Sequence, residues 1–162
     1  MTAKRQYWTL VLSCSAILMV TMGVRQSLGL FVSPLNTSTG LGIVTISFAL
    51  AVGQFMWGAA QPLFGMLADR VGTVRVIIIG AVMLSAGLAL TPLMGTGFGL
   101  TLVLGVLTAA GAGAGSMSIM MGAAAQRLPA ERRAFASVFI NAGGSFGQVT
   151  FAPLSQGLIA GI

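Results

Sequence analysis

Long apolar stretches alternate with short polar ones along the whole chain. A membrane-spanning helix needs about 20 mostly apolar residues, and five stretches reach that length. We predict spans at residues 7–32, 43–66, 74–93, 98–123 and 134–162. The breaks are rich in turn-forming residues: SPLNTSTGLG (33–42), TPLMGTG (91–97) and AQRLPAERR (125–133). The pattern predicts an all-α fold, a polytopic integral membrane bundle of five transmembrane helices.

Composition strengthens this prediction. The chain is 56% hydrophobic and only 6% charged, whereas a soluble domain carries about 25% charged residues. The 23 glycines fit a membrane bundle, because glycine is tolerated in bilayer helices and lets them pack closely. The first apolar stretch is longer than the core of about 7–15 residues in a signal peptide. We therefore expect it to remain in the protein as the first span.

The basic residues are distributed unevenly between the breaks. Seven of the eight lie before the first span, around the turn between spans 2 and 3, or between spans 4 and 5. Cytoplasmic loops carry the excess of Lys and Arg, so we expect a multi-pass protein of the cell (inner) membrane with a cytoplasmic N-terminus. The net charge of +6 does not predict a nucleic-acid partner, since the bases are spread over three segments without interleaved aromatic residues. The expected partner is the lipid bilayer, and a specific contact with anionic lipids is the alternative use of these bases.

Few residues could support catalysis or metal binding. The sequence has no histidine, two acidic residues and one cysteine, Cys14, inside an apolar stretch. We therefore expect no metal site, no cofactor and no enzyme activity, because the abundant serines and threonines lack a base to activate them.

Apart from Arg75 at the very start of the third span, Arg25 is the only charged residue inside a predicted span. A charge in the bilayer is costly and usually faces a cavity or a partner, and a guanidinium can hold a carboxylate by two hydrogen bonds. Arg25 is therefore a candidate for binding an anionic substrate. In the alternative interpretation, the side chain reaches the outer interface, because Arg25 lies 17 residues after Trp8, about 25 Å along a helix.

Two pairs of polar residues repeat at a spacing of seven. Gln54 and Gln61 share one face of the second span, with Trp57 near it, and Asn141 and Gln148 share one face of the fifth. Amides in hydrocarbon need partners, which are either a neighbouring helix or a water-filled path. These four residues are further candidates for substrate binding, with hydrogen bonding between helices as the alternative.

The turn GMLADRVGTVR (65–75) carries a pattern of glycines and charges. Gly65, Asp69, Arg70 and Gly72 form G-x-x-x-D-R-x-G, and Arg75 follows. This is similar to the loop between spans 2 and 3 in the major facilitator superfamily of secondary transporters. The segments VRQSLGLFVSPL and NAGGSFGQVTFAPLSQGLI resemble the monocarboxylate-transporter-like branch.

The resemblance implies a transporter of about twelve spans in two halves, which rock around a binding site at the bilayer midplane. It also implies that these five turn residues form a conformational latch between the halves. Gly65 would admit a neighbouring helix, Gly72 would permit a tight reversal, and Asp69 would cap another helix. Residues 1–162 would then be an incomplete N-terminal transmembrane domain whose partner is the missing C-terminal half. The end of the chain, SQGLIAGI, is still apolar and also predicts a piece of a longer protein.

The predicted function is secondary transport of a small organic anion of the monocarboxylate type by alternating access. We expect this fragment alone to be inactive. Two departures from the family pattern leave alternatives open: LGVLTAAGAGAG (104–115) lacks the arginine frequent in proton-coupled members, and Gln148 instead of proline follows Gly147. The alternatives are an efflux permease of the same fold for drugs or sugars, and a small membrane subunit that does not transport.

Overall fold

A computed structural model describes residues 3–161, without the side chains of residues 3 and 4, and arranges them as five helical rods. Rod 1 is α1 (Ala3–Ser27), a 3₁₀ turn (Leu28–Phe31) and α2 (Val32–Thr39). Rod 2 is α3 (Ile43–Val71), and rod 3 is α4 (Thr73–Leu90) with a 3₁₀ turn (Thr91–Leu93). Rod 4 joins α5 (Gly97–Leu100), a π-helical segment (Thr101–Thr108), α6 (Ala109–Ala114) and α7 (Met117–Arg127), and rod 5 is α8 (Ala130–Ala160). The prediction of an all-α helical bundle is confirmed.

Four rods are long and apolar enough to cross a membrane, judged by length and composition alone. They are Arg5–Thr39, Ile43–Val71, Thr73–Leu93 and Gly97–Arg127. Rod 5 has 31 residues but is less apolar, because it begins with the charged residues 131–133 and carries amides and glycines along its length. The fifth predicted span is therefore present as a long helix that falls short of the apolarity of the other four.

Rod 1 continues beyond its predicted end at residue 32 and reaches Thr39. Pro34 lies in the first turn of α2, where a missing backbone N–H costs little. The hydroxyls of Thr37 and Thr39 donate to carbonyls four residues earlier, at 3.1 and 2.6 Å. The predicted turn at 33–42 is thus mostly helix, and the reversal is confined to its end at Gly40, with φ +66°.

The turn between rods 2 and 3 consists of one residue outside the helices. Gly72 has φ +94° and serves at once as the C-cap of α3 and the N-cap of α4. A residue with a Cβ rarely adopts this conformation, so the glycine is what makes so short a reversal possible. The predicted role of Gly72 in a tight reversal is confirmed.

Rods 1 and 5 pack closely through glycines of rod 5. A methyl group at Gly143 would collide with Ser15, and one at Gly147 would collide with the backbone of Met19. The spacing of four residues places both glycines on one helix face. The G-x-x-x-G pattern formed by these two glycines is therefore a helix-packing surface.

Rod 4 lies against rods 2 and 3, and its glycine-rich centre is the most buried part of the bundle. A methyl group at Gly105 would lie 2.7 Å from the carbonyl of Ala49, and one at Gly111 would lie 2.7 Å from that of Gly80. The helix breaks at residues 115–116, where the Thr21 hydroxyl of rod 1 donates to the Gly115 carbonyl at 3.0 Å. This bond satisfies a backbone group freed by the break and ties rod 1 to rod 4.

The outer surface of the bundle is strongly apolar. Large side chains such as Val44 (84% exposed), Phe98 (76%) and Phe55 (73%) point away from the protein. Exposure of so much apolar surface to water is unfavourable, whereas the hydrocarbon of a lipid bilayer would solvate it. The structure thus supports the membrane assignment independently of composition.

Candidate functional site

Arg25 and Gln54 are in direct contact across rods 1 and 2. Nη1 of Arg25 donates to Oε1 of Gln54 at 3.2 Å. Because the amide oxygen accepts this bond, the NH₂ group of Gln54 remains as a further donor. The structure therefore brings together two of the five predicted site residues, which lie 29 positions apart in the sequence.

Arg25 also stacks on an aromatic ring. Its Cζ lies 4.1 Å from the centre of the Trp57 ring, a distance suited to a cation–π contact. Trp57 is the central residue of α3, with 14 residues on either side, so it lies about 21 Å from each helix end. The guanidinium is therefore held at the middle of rod 2, and it does not extend to the outer interface as the alternative interpretation of the sequence expects.

Two donors of this cluster are buried and lack an acceptor within residues 3–161. They are Nε of Arg25 and Nε1 of Trp57. A buried donor without a partner is costly, by roughly 1–3 kcal/mol. Both groups, and the NH₂ of Gln54, can only donate. The site has hydrogen-bond capacity for an acceptor-rich ligand, and its charge is positive.

A cavity of about 220 Å³ adjoins this cluster. Rods 1 to 4 all contribute to its wall, which is mostly apolar apart from a few polar side chains. The polar members are Arg25, Gln26, Gln54 and Thr108, and the remainder are small or aliphatic residues including Gly53 and Ala112. An apolar pocket with a few convergent polar groups is typical of small-molecule sites.

The other predicted site residues are placed differently. Oε1 of Gln61 accepts a hydrogen bond from the Ser118 hydroxyl at 3.2 Å, so Gln61 joins rod 2 to rod 4. Asn141 and Gln148 are exposed on rod 5, and neither is part of the described wall of the Arg25 cavity. The structure thus groups Arg25 with Gln54, places Gln61 in a neighbouring contact, and leaves the pair on rod 5 apart.

The predicted latch residues lie around the chain reversal at Gly72, at one end of the bundle. Asp69, Arg70 and Arg75 are exposed, and a methyl group at Gly65 would meet no described atom within 4 Å. No helix within residues 3–161 approaches Gly65 closely, so its predicted role in the latch stays a prediction.

Trp57 and Ser118 are site residues that the sequence prediction did not include. Trp57 was expected only near the face of Gln54, although a spacing of three positions places both residues on one helix face. No sequence signal pairs Ser118 with Gln61, because the contact depends on how rods 2 and 4 pack.

Known proteins with similar sequences indicate the family of this chain. A family model described as Major Facilitator Superfamily matches residues 13–162. The oxalate:formate antiporter of Oxalobacter formigenes is 28% identical over 155 residues, which is 95% of this chain and 36% of that protein. The chain thus spans about a third of the length of the curated relative that it matches.

Proposed function

Because the chain belongs to the major facilitator superfamily, we propose that it is part of a secondary transporter for a small organic anion. The observation that carries this proposal is the surplus of donors around Arg25. Nε of Arg25 and Nε1 of Trp57 are buried without an acceptor among the described residues, and Arg25 adds a positive charge. A carboxylate would supply several acceptor oxygens and the opposite charge.

The relative supports the same class of substrate. Its name refers to oxalate and formate, both small carboxylates. The cavity beside Arg25, at about 220 Å³, has room for an anion of that size. We therefore assign a small, monocarboxylate-like anion to this chain in preference to the drug or sugar alternatives.

The proposed mechanism is alternating access in a longer protein. Residues 1–162 would form an incomplete N-terminal domain, and the missing C-terminal half would close the site around the anion. The latch residues Gly65, Asp69, Arg70, Gly72 and Arg75 would contact that half in one access state. On this proposal the five rods alone bind the anion weakly and do not transport it, so reconstituted chain should give no saturable anion flux in liposomes.

The proposed orientation follows from the charges. The N-terminus and the turns at 72 and 128–129 lie at one end of the bundle, because successive rods run in opposite directions. Seven of the eight bases belong to that end. We place it at the cytoplasmic face of the inner membrane.

Fluorescence of Trp57 tests the proposal directly. The protein has two tryptophans, so Trp8→Phe leaves Trp57 as the only indole. An anion bound to Arg25 and to Nε1 should change the emission of Trp57 in a saturable manner. Formate and oxalate would be titrated beside formamide and oxamide, which have similar shapes and no charge.

A saturable response to the anions, with little response to the amides, is the expected result. An equal response to charged and neutral compounds would remove the anion assignment and favour a permease for uncharged substrates. A protein that responds to neither, while retaining its helical circular dichroism, would favour a membrane subunit without a transport site.

A further inference from the structure

A second and larger cavity lies at the end of the bundle that carries the N-terminus. This crevice has a volume of about 1060 Å³ and opens between rod 1, the turn between rods 2 and 3, and the turn between rods 4 and 5. It is separate from the anion site, because none of the residues that line it also line the cavity at Arg25. Two of its lining residues, Gly72 and Arg75, belong to the proposed latch, but the proposed transport mechanism assigns no ligand to the crevice.

Three arginines from two different turns line this crevice. Arg75 comes from the start of rod 3, Arg127 from the end of rod 4 and Arg132 from the start of rod 5. The described lining contains no carboxylate. Arg132 also lies over the Tyr7 ring, with 5.5 Å between Cζ and the ring centre. The sequence scatters these bases over about 60 positions, whereas the fold gathers them around one opening.

The walls between rods 1 and 3 are apolar. Leu10 and Ile17 contribute from rod 1, and Val74 and Ile77 contribute from rod 3. Rod 1 also contributes the polar residues Gln6, Thr9 and Ser13 to the lining. A ligand that fills this crevice must therefore combine a negatively charged group with an apolar portion.

We propose that the crevice binds one anionic phospholipid, with its phosphate among Arg75, Arg127 and Arg132 and an acyl chain along the apolar wall. Guanidinium groups suit phosphate because they offer several donors in a planar fork. The interfacial position also fits, since the turns of a membrane bundle lie at the level of the headgroups. A free phosphate ion would satisfy the arginines and leave the apolar wall in contact with water, so the lipid accounts for more of the site.

Native mass spectrometry of the detergent-purified chain measures this binding. The protein would be titrated with phosphatidylglycerol and, separately, with phosphatidylcholine. We expect one phosphatidylglycerol to be retained per chain and phosphatidylcholine to be retained much less. The variant Arg75→Gln/Arg132→Gln should weaken phosphatidylglycerol binding by about 30-fold, at the usual contribution of each basic residue near a lipid surface.

A matched variant separates this site from diffuse attraction. Arg5→Gln/Arg70→Gln removes the same charge from the same end of the bundle, but neither residue lines the crevice. We expect it to retain phosphatidylglycerol within about threefold of the parent, because its loss of charge is more distant. Equal losses in the two double variants would overturn the proposal and leave the arginines as general topology determinants.

A second variant tests the apolar wall without changing charge. Ser13 is exposed and lines the crevice, so Ser13→Trp should fill the space needed by an acyl chain and reduce lipid retention about tenfold or more. Ser85→Trp is the control, since Ser85 is exposed on α4 outside the crevice. Unchanged binding in Ser13→Trp, or full displacement of the lipid by inorganic phosphate, would show that only the anionic group is recognised. Either result would overturn the lipid assignment, and circular dichroism would confirm that each variant is folded.

Discussion

The cluster around Arg25 and the turn around Gly72 use charge in opposite ways. In the cluster, Arg25 is half-buried, bonds to Gln54 and stacks on Trp57. In the turn, Asp69 and Arg70 are exposed. A charge within hydrocarbon requires partners because it is costly there, whereas a charge at a turn is hydrated. The turn is recognised by its sequence pattern, and the Arg25 cluster is recognised by its contacts within the chain. These are different kinds of evidence for function.

The largest effect should come from Arg25→Gln. This change removes the charge and most of the donors from the proposed anion site. A hydrogen bond to a charged group contributes about 1.5–3 kcal/mol, so affinity for formate or oxalate should fall roughly 10- to 150-fold. Isothermal titration calorimetry of the purified chain would measure it.

Arg25→Lys is the matched control for that change. It keeps the charge but loses the planar fork and the stacking on Trp57. We expect an intermediate affinity. If anion binding is unchanged in Arg25→Gln, the buried charge has only a structural role. The Arg25 cluster and the turn at Gly72 would then no longer differ in function.

Gly72→Ala should have the next largest effect, and it acts on folding. The backbone at Gly72 has φ +94°, a conformation that costs a residue with a Cβ about 1–3 kcal/mol. The free energy of unfolding should therefore fall by about 1–3 kcal/mol. Titration with sodium dodecyl sulfate in mixed micelles, followed by circular dichroism, would measure it.

Gly65→Ala is the control within the same turn region. Gly65 lies inside α3 and has open space around it, so alanine should be neutral or stabilising by up to about 1 kcal/mol. If both substitutions destabilise the chain equally, then the conformation of Gly72 is not the reason why glycine is required there.

The outcomes for individual residues show what the sequence could predict. The helices follow from apolar length, and Gly72 follows from the need to reverse the chain in one residue. The extension of rod 1 to Thr39 was missed, because Ser, Thr and Pro34 indicate a turn by composition while the hydroxyls can bond within a helix. The contact between Arg25 and Gln54 could not be predicted, since it depends on the relative rotation and depth of two packed rods.

Trp57→Phe should have a smaller effect on anion binding than Arg25→Gln. Phenylalanine keeps an aromatic ring beneath the guanidinium but removes Nε1, which is buried without an acceptor among the described residues. If an anion accepts from Nε1, its affinity should fall about fivefold, the equivalent of one neutral hydrogen bond of about 1 kcal/mol. Calorimetry would report this without relying on the indole as a probe.

The folding stability of Trp57→Phe provides the contrasting measurement. Removal of an unpaired donor offsets part of the packing lost with the larger ring, so the free energy of unfolding should change by less than about 1 kcal/mol. A large loss of stability with unchanged anion affinity would make Trp57 a packing residue of rod 2 and would remove it from the site.

Asp69→Asn should have the smallest effect on the chain itself. Asp69 is exposed, and no hydrogen bond joins it to a helix N-terminus within the described residues, so the free energy of unfolding should change by no more than about 0.5 kcal/mol. Asparagine preserves the shape of the side chain and removes only its charge. The same measurement on Asp69→Ala would distinguish charge from volume.

A loss of more than about 1 kcal/mol in Asp69→Asn would mean that the carboxylate already stabilises these five rods. Its function would then lie within them, and the contrast with the Arg25 cluster would disappear. A negligible change is the result expected if the turn acquires its contacts only from a partner half, because the energetic contribution of a latch is absent until that half is present.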